Sequence, residues 1–369
     1  MVKNIYFGDF LLQIVLILIR LNRDRLISKW QSGLNLVEYC KVIKKEVEER
    51  TVETIVKINE VVNGIVWGVP IMLLILGTGI YYTIRFGFIQ FRHPVWLVKQ
   101  TIVKAFQKKD EGPTVPGELT SFQAAMTSVS AIVGSGNIAG AATAIVMGGP
   151  GALIWMILAA FVGMATKFAE IALGVKYRKV HEDGTVSGGA MYYLSEGLHQ
   201  KWLGMLFSIL VIPFAFVISG IVDTNTIALT LNERYSVPTL ATGIVLAVVV
   251  GIIVFGGIGR ICEVVAPFMG GAYILAGLLI ILVHITQVPG AITEIFTAAF
   301  NPKAATGGIV GSVFVCMRYG IARGIYSNEA GLGTAAMVHC GAKVNDPIEQ
   351  AVWGPVEVFL DTVFICSVT

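Results

Sequence analysis

The sequence predicts an all-α polytopic membrane protein, and three observations carry that prediction. Hydrophobic residues make up 55% of the chain and charged residues 14%. A soluble domain carries about 25% charged residues, so most of this surface faces lipid. Apolar runs of about 20 residues, the length a spanning helix needs, recur along the chain. Many of the 41 glycines fall inside those runs, where small residues let membrane helices approach closely.

Eight runs read as spans, near 61–84, 121–147, 152–175, 202–231, 237–256, 261–285, 307–338 and 351–369. Segment 10–19 is short for a span and resembles a signal h-region, though Arg20, Arg23 and Arg25 follow it in place of a small-residue cleavage site. Residues 29–60 read as a charged, soluble helix with Lys44, Lys45, Glu46, Glu48, Glu49 and Arg50. This divides the chain into an N-terminal extension, 1–57, and a membrane domain, 58–369.

Lysine and arginine set the orientation. Arg85, Arg92, Lys99, Lys104, Lys108 and Lys109 follow the first span, and Lys176, Arg178 and Lys179 follow the third. Lys201 precedes the fourth, Arg260 lies between the fifth and sixth, and Lys343 follows the seventh. The intervening loops hold Arg234 and Lys303. Every second loop is basic and is expected in the cytoplasm, with the first span starting outside. The basic extension conflicts with that placement. Either segment 5–19 crosses the membrane or the start is misplaced, and the second reading is favoured. The chain also ends inside an apolar run, Val363 to Thr369, which suggests truncation.

Other classes find little support. A net charge of +3, with basic residues confined to loops, does not suit nucleic-acid binding. None of the five cysteines forms a CxxC pair, and the histidines (His93, His181, His199, His284, His339) are scattered, so no metal site is expected. No GxGxxG, P-loop or HExxH pattern occurs, and neither enzyme activity nor a cofactor is expected.

Five constellations stand out. Val133-Gly134-Ser135-Gly136-Asn137-Ile138-Ala139-Gly140 lies in mid-span. Each glycine costs a helix about 1 kcal/mol relative to alanine, so a break is expected, of the kind that lines transporter cavities. The alternative is a close helix crossing through Gly136 and Gly140. The stretch from Arg318 to Gly333 holds Arg318, Arg323, Asn328 and Glu329 among glycines and apolar residues. It reads as a second interrupted helix facing the protein interior, or as a span ending early at the interface. Asp223-Thr224-Asn225-Thr226 closes the fourth span, either as a solvated helix end or as part of a pathway. Asp361-Thr362 places an acid within the last run, a functional candidate by default. Lys167 and Glu170, at i and i+3, suit a structural or gating pair along one helix.

The strings VGSGNIAGAATAIVMGGPGALIWM and GMATKFAEIALGVKYR resemble the alanine/glycine:cation symporter family, also called the sodium:alanine symporters. AFNPKAATGG, RGIYSNEAGLGTA and VWGVPIMLLILGTGIYYTIRFGFIQFRH match the same family, so the resemblance covers about 58–369. It implies a fold like the leucine transporter: an inverted repeat of five helices, preceded here by one extra helix, with the second repeat incomplete. The breaks at Gly134–Asn137 and around Tyr319–Gly324 would open the two repeats.

By the same resemblance, Gly134, Ser135, Gly136 and Asn137 would hold the substrate, with Asp223, Asn225, Tyr319 and Gly320 completing the pocket. Carbonyls of Ala131, Ile132 and Val133, with Asn137, Asp361 and Thr362, would bind the cation. Lys167, Glu170, Arg323, Asn328 and Glu329 would gate the path. One departure is Asp223, where the family usually has glutamine. The implied activity is symport of alanine or glycine with sodium or a proton, by alternating access, in the plasma membrane of a bacterium or archaeon. The competing readings are a truncated non-transporting remnant and a channel. A channel needs a continuous pore, which two unlike breaks do not suggest.

Overall fold

The computed structural model describes residues 52–107, 119–134, 136–255, 275–300 and 313–369. Segment 10–19, nearly all of the extension, Ser135, Lys108, Lys109, Arg260, Lys303 and most of the sixth predicted span lie outside them. The chain divides into two compact units, Met1–Ile71 and Met72–Thr369. In the first, residues 52–66 are helical and almost wholly exposed. The expected boundary at 57 falls inside the apolar candidate span Val52–Arg85.

Among the described residues, four helices are long and apolar enough to cross a membrane, or six if each sharply bent pair counts as one span. The helices are α1 Val69–Arg85, α2 Ser121–Ile132, α3 Ala141–Gly148, α4 Ala152–Lys176, α5 Lys201–Phe214, α6 Asp223–Tyr235 and α7 Thr239–Val254. They continue as α8 Leu275–Val283, α9 Val288–Phe300, α10 Val313–Asn328, α11 Thr334–His339, α12 Pro347–Ala351 and α13 Trp353–Val358. A two-stranded antiparallel ribbon, β1 Lys179–Val180 and β2 Val186–Ser187, pairs Lys179 with Ser187. Asp183 accepts from the backbone N–H and hydroxyl of Thr185 in its turn, and those bonds hold its carboxyl below the usual range.

Helix α4 is the hub of the second unit. Its 25 residues span about 37 Å at 1.5 Å per residue, and it packs against α10, α11, α12 and α13. Small residues make close approach possible: Ala152, Ala159, Ala160 and Ala165 are all buried. Helices α5 and α7 instead expose Trp202, Met205, Ile209, Leu210, Leu240, Val245 and Val248, the pattern of lipid-facing surface.

Among the described residues, three spans widen into π-type turns, at Gly136–Gly140, Ala215–Val222 and Phe359–Ile365. Such insertions are rare and cluster at functional sites. The middle one follows Pro213, whose missing N–H loosens the preceding ladder.

The second break is not where the glycines suggest. Helix α10 runs unbroken through Tyr319–Gly324 to Asn328. Gly320 and Gly324 serve a close crossing: a Cβ at Gly320 would strike the Ala152 carbonyl oxygen, and one at Gly324 would lie 3.2 Å from the Met156 backbone. The chain turns at 329–333, where Glu329, Gly331 and Gly333 have φ of 55°, 91° and 82°. Glycine takes that left-handed conformation freely; Glu329 adopts it under strain.

Candidate functional site

The first break is built by its own side chain. Helix α2 opens with a reciprocal cap between Thr120 and Gln123 and ends at Ile132, where Val133 turns extended (φ −83°, ψ 97°). The chain resumes at Gly136, and the two helical pieces are bent by 48°. Asn137 Oδ1 accepts the Gly134 N–H at 2.8 Å, replacing a lost ladder bond with a side chain. The C-terminal end of α2, with its negative dipole, therefore points into the gap. Ile132 and Val133 pack there against Ile365.

Five buried side chains meet across this gap. Asn137 Nδ2 donates to Asp361 Oδ1 at 2.6 Å and to Ser327 Oγ at 3.1 Å. Ser327 Oγ donates to Asp361 Oδ2 at 2.9 Å, and Thr362 Oγ1 to the same oxygen at 2.7 Å. Cys366 Sγ lies 3.4 Å from both Asn137 Nδ2 and Ser327 Oγ. All five side chains are almost completely inaccessible to solvent. A carboxylate so buried persists only with compensation, and the carboxylate and hydroxyl oxygens beside a helix C-terminus suit a hard monovalent cation.

A second charged centre adjoins the first. Lys167 Nζ lies 3.4 Å from Glu357 Oε2 and donates to the Asn328 carbonyl at 3.0 Å. Ser128 Oγ donates to Glu357 Oε2 at 2.7 Å, and His339 Nε2 approaches Glu357 Oε1 at 2.9 Å. Asn328 Nδ2 donates to Thr362 Oγ1 at 3.0 Å, which joins the two centres. Glu170 accepts the N–H groups of Gly331 and Ala335 at 3.0 and 3.1 Å, caging the turn between α10 and α11.

The sequence-predicted residues sort clearly. Gly134, Asn137, Asp361 and Thr362 come together, with the α2 end at Ile132 and Val133 beside them; Ala131 is exposed, and Ser135 lies outside the described residues. Gly136 faces the Tyr326 ring, 3.3 Å from a Cβ placed there. Asp223 Oδ2 lies 3.8 Å from a Cβ placed at Gly134, whereas Asn225 is exposed, because two residues turn a helix by about 200°. Tyr319 packs on Gly148, and Gly320 on Ala152 and Trp155, two turns from Ser327. The spacing of Lys167 and Glu170 suggested that they pair with one another, but Lys167 reaches Glu357 and Glu170 reaches backbone. Arg323 stacks 5.9 Å from the Tyr326 ring centroid. Asn328 and Glu329 lie at the turn, with Thr334 Oγ1 donating to Glu329 Oε2.

Residues the sequence reading missed are Glu357, Ser327, Tyr326, Ser128, His339 and Gln350. A signal existed for Glu357, an acid one helical turn before Asp361 in the same apolar run. His339 carried none, since its partner is distant in sequence.

The chain matches the family model described as the sodium:alanine symporter family over residues 52–369. It is 41% identical over 321 residues to an uncharacterized transporter of Haemophilus influenzae, covering 86% of this chain and 69% of that protein. It is likewise 41% identical to the sodium/alanine symporter AgcS of Methanococcus maripaludis, covering 85% and 69%, and 40% identical to the uncharacterized transporter YflA of Bacillus subtilis, covering 84% and 66%. The chain thus spans about two thirds of the length of these relatives. With a helical, apolar architecture and a buried polar cluster at a mid-span break, the chain belongs to the sodium:alanine symporter family.

Proposed function

We propose that this protein carries alanine or glycine across the plasma membrane together with sodium or a proton, by alternating access. The buried cluster of Asp361, Asn137, Ser327 and Thr362 carries this reading. It gathers polar groups from three separate spans at the negative end of α2, where a cation would be coordinated by the Asp361, Thr362 and Ser327 oxygens and held out of water. Family membership and the name of the archaeal relative support sodium and alanine.

Substrate would sit at the break on the side lined by Gly134, Gly136, Tyr326 and Asp223. A wall of glycine backbone leaves room for a small side chain, and the Asp223 carboxylate would meet the amine. Asn137, bonded to both Gly134 and Asp361, would transmit cation binding to the substrate side. The inverted-repeat arrangement implied by the family would pair the break at 133–136 with the turn at 329–333. The basic face carrying Arg85, Lys104, Arg178 and Lys343 would be cytoplasmic.

Proteoliposomes containing the full chain, loaded with potassium and given labelled alanine, test the proposal. Uptake driven by an inward sodium or proton gradient is expected. No uptake above protein-free vesicles under either gradient overturns it.

A further inference from the structure

Two polar atoms meet at short range near the centre of the second unit. His339 Nε2 lies 2.9 Å from Glu357 Oε1, yet neither atom has a well-aligned hydrogen-bond partner. Both side chains are wholly buried. Buried polar atoms are nearly always bonded, and at 2.9 Å a proton on Nε2 would be shared with the carboxylate.

The surrounding bonds fix how many protons the pair holds. Gln350 Oε1 accepts from the Ser121 hydroxyl at 2.6 Å. The Gln350 amide nitrogen therefore donates to Ser121 O at 3.2 Å and to His339 Nδ1 at 2.7 Å. An accepting Nδ1 leaves the one ring proton on Nε2, so a neutral imidazole faces the carboxylate. A second proton on the ring would set Nδ1–H against the Gln350 N–H groups. That state needs the amide to turn over, so that it accepts from Nδ1–H, donates to the Ser121 hydroxyl and gives up its bond to the Ser121 carbonyl.

The ionisable groups facing Glu357 are Lys167 from α4 and His339 from α11, while α2 brings the Ser128 hydroxyl. Glu170 lies one turn along α4 from Lys167, and Asp361 one turn on from Glu357. With the ring neutral, Lys167 is the one cation against the Glu357 carboxylate, and a second ring proton would add another beside it. A way in exists: Ser121 and Trp353 line a cavity of about 100 Å³ with Gln100, Lys104, Lys343 and Glu349. Contacts also link the pair to the cation cluster: Lys167 bonds the Asn328 backbone carbonyl at 3.0 Å, the Asn328 side-chain amide bonds Thr362 at 3.0 Å, and Thr362 bonds Asp361 at 2.7 Å.

We propose that the His339–Glu357 pair is a proton-binding site, reached from this cavity through Ser121 and Gln350, and that its occupancy weakens cation binding at Asp361. The second half rests on the cation-coupled reading above. Binding of radiolabelled sodium to the purified full chain, measured from about pH 5.5 to 9, tests it. Wild-type affinity should fall about tenfold toward acid pH, a usual size for coupling between sites. The dependence should be flat in His339→Gln. Ser128→Ala removes one donor to Glu357 and leaves the pair in place. Its midpoint should move to higher pH, because losing a bond to the carboxylate favours the protonated form.

A wild-type pH dependence that survives His339→Gln overturns the proposal, as does an unmoved midpoint in Ser128→Ala. Absence of any sodium binding overturns the cation reading instead. Infrared difference spectra between about pH 5.5 and 9 then decide the proton site alone. A pH-dependent imidazole or carboxyl band lost in His339→Gln supports it, and no such band overturns it.

Discussion

Asn137 donates to Asp361 across 2.6 Å, joining two side chains 224 positions apart in the chain. Each sits in a π-type turn, at Gly136–Gly140 and Phe359–Ile365. The extra residue in each turn swings a polar side chain inward that regular helical spacing would place elsewhere. Since Asn137 Oδ1 also holds the Gly134 N–H, the carboxylate and the broken backbone share one amide. Displacing either shifts the other.

Asp361→Asn tests that relationship. The substitution keeps the shape but replaces one acceptor oxygen with a donor, which then faces the donors of Asn137, Ser327 or Thr362. A bond to a charged group contributes about 1.5–3 kcal/mol, so sodium affinity should fall by about ten- to a hundredfold. Radiolabelled sodium binding to the purified variant measures it, and affinity equal to wild type would remove Asp361 from the cation site.

Gly320→Ala should destabilise the fold by about 1–3 kcal/mol, the usual cost of overpacking. The added methyl meets the Ala152 carbonyl and Trp155, forcing α10 away from α4. Gly140→Ala is the matched control: a Cβ there meets nothing within 4 Å, so stability should change by less than about 0.5 kcal/mol. Thermal unfolding in detergent reads both. Equal melting temperatures would deny the close crossing.

The helical membrane architecture and the first break were legible in the sequence, because composition, run length and paired glycines act locally. Asp361 was legible as an acid in an apolar run. The second break was not, because glycines for a turn and glycines for a crossing look alike until the neighbouring helix is present. Tyr319 and Gly320 were therefore expected where Tyr326 and Ser327 stand. His339 and Glu357 meet only through tertiary packing, and π-type turns leave no mark on hydrophobic periodicity.

Arg178 donates to three carbonyls of the loop after α11: Cys340 at 3.1 Å, Ala342 at 2.5 Å and Val344 at 3.0 Å. The same loop pairs with Leu119, whose N–H reaches Gly341 O and whose carbonyl accepts from the Lys343 N–H, each at 2.8 Å. A guanidinium spans three acceptors with its planar fork, which an ammonium cannot reproduce. Arg178→Lys should speed amide hydrogen exchange at 340–344 about tenfold, equivalent to one lost bond of about 1.4 kcal/mol. Exchange that matches wild type would show that the Leu119 pairing holds the loop unaided.

Lys167 and Glu357 make a sharper test of how buried charge is balanced. Removing one partner of a buried pair costs about 3–5 kcal/mol, chiefly because the other charge is left uncompensated. Lys167→Met strands Glu357 with His339 and Ser128 as its remaining neighbours, and Glu357→Gln strands the ammonium against the Asn328 carbonyl. Each single variant should melt well below wild type. The double variant Lys167→Met/Glu357→Gln removes both charges, so its loss should be smaller than the sum of the two by about 1–3 kcal/mol, the coupling usual for contacting residues. Simple additivity in thermal unfolding would mean the 3.4 Å ion pair contributes nothing, and that Lys167 acts only through its bond to Asn328.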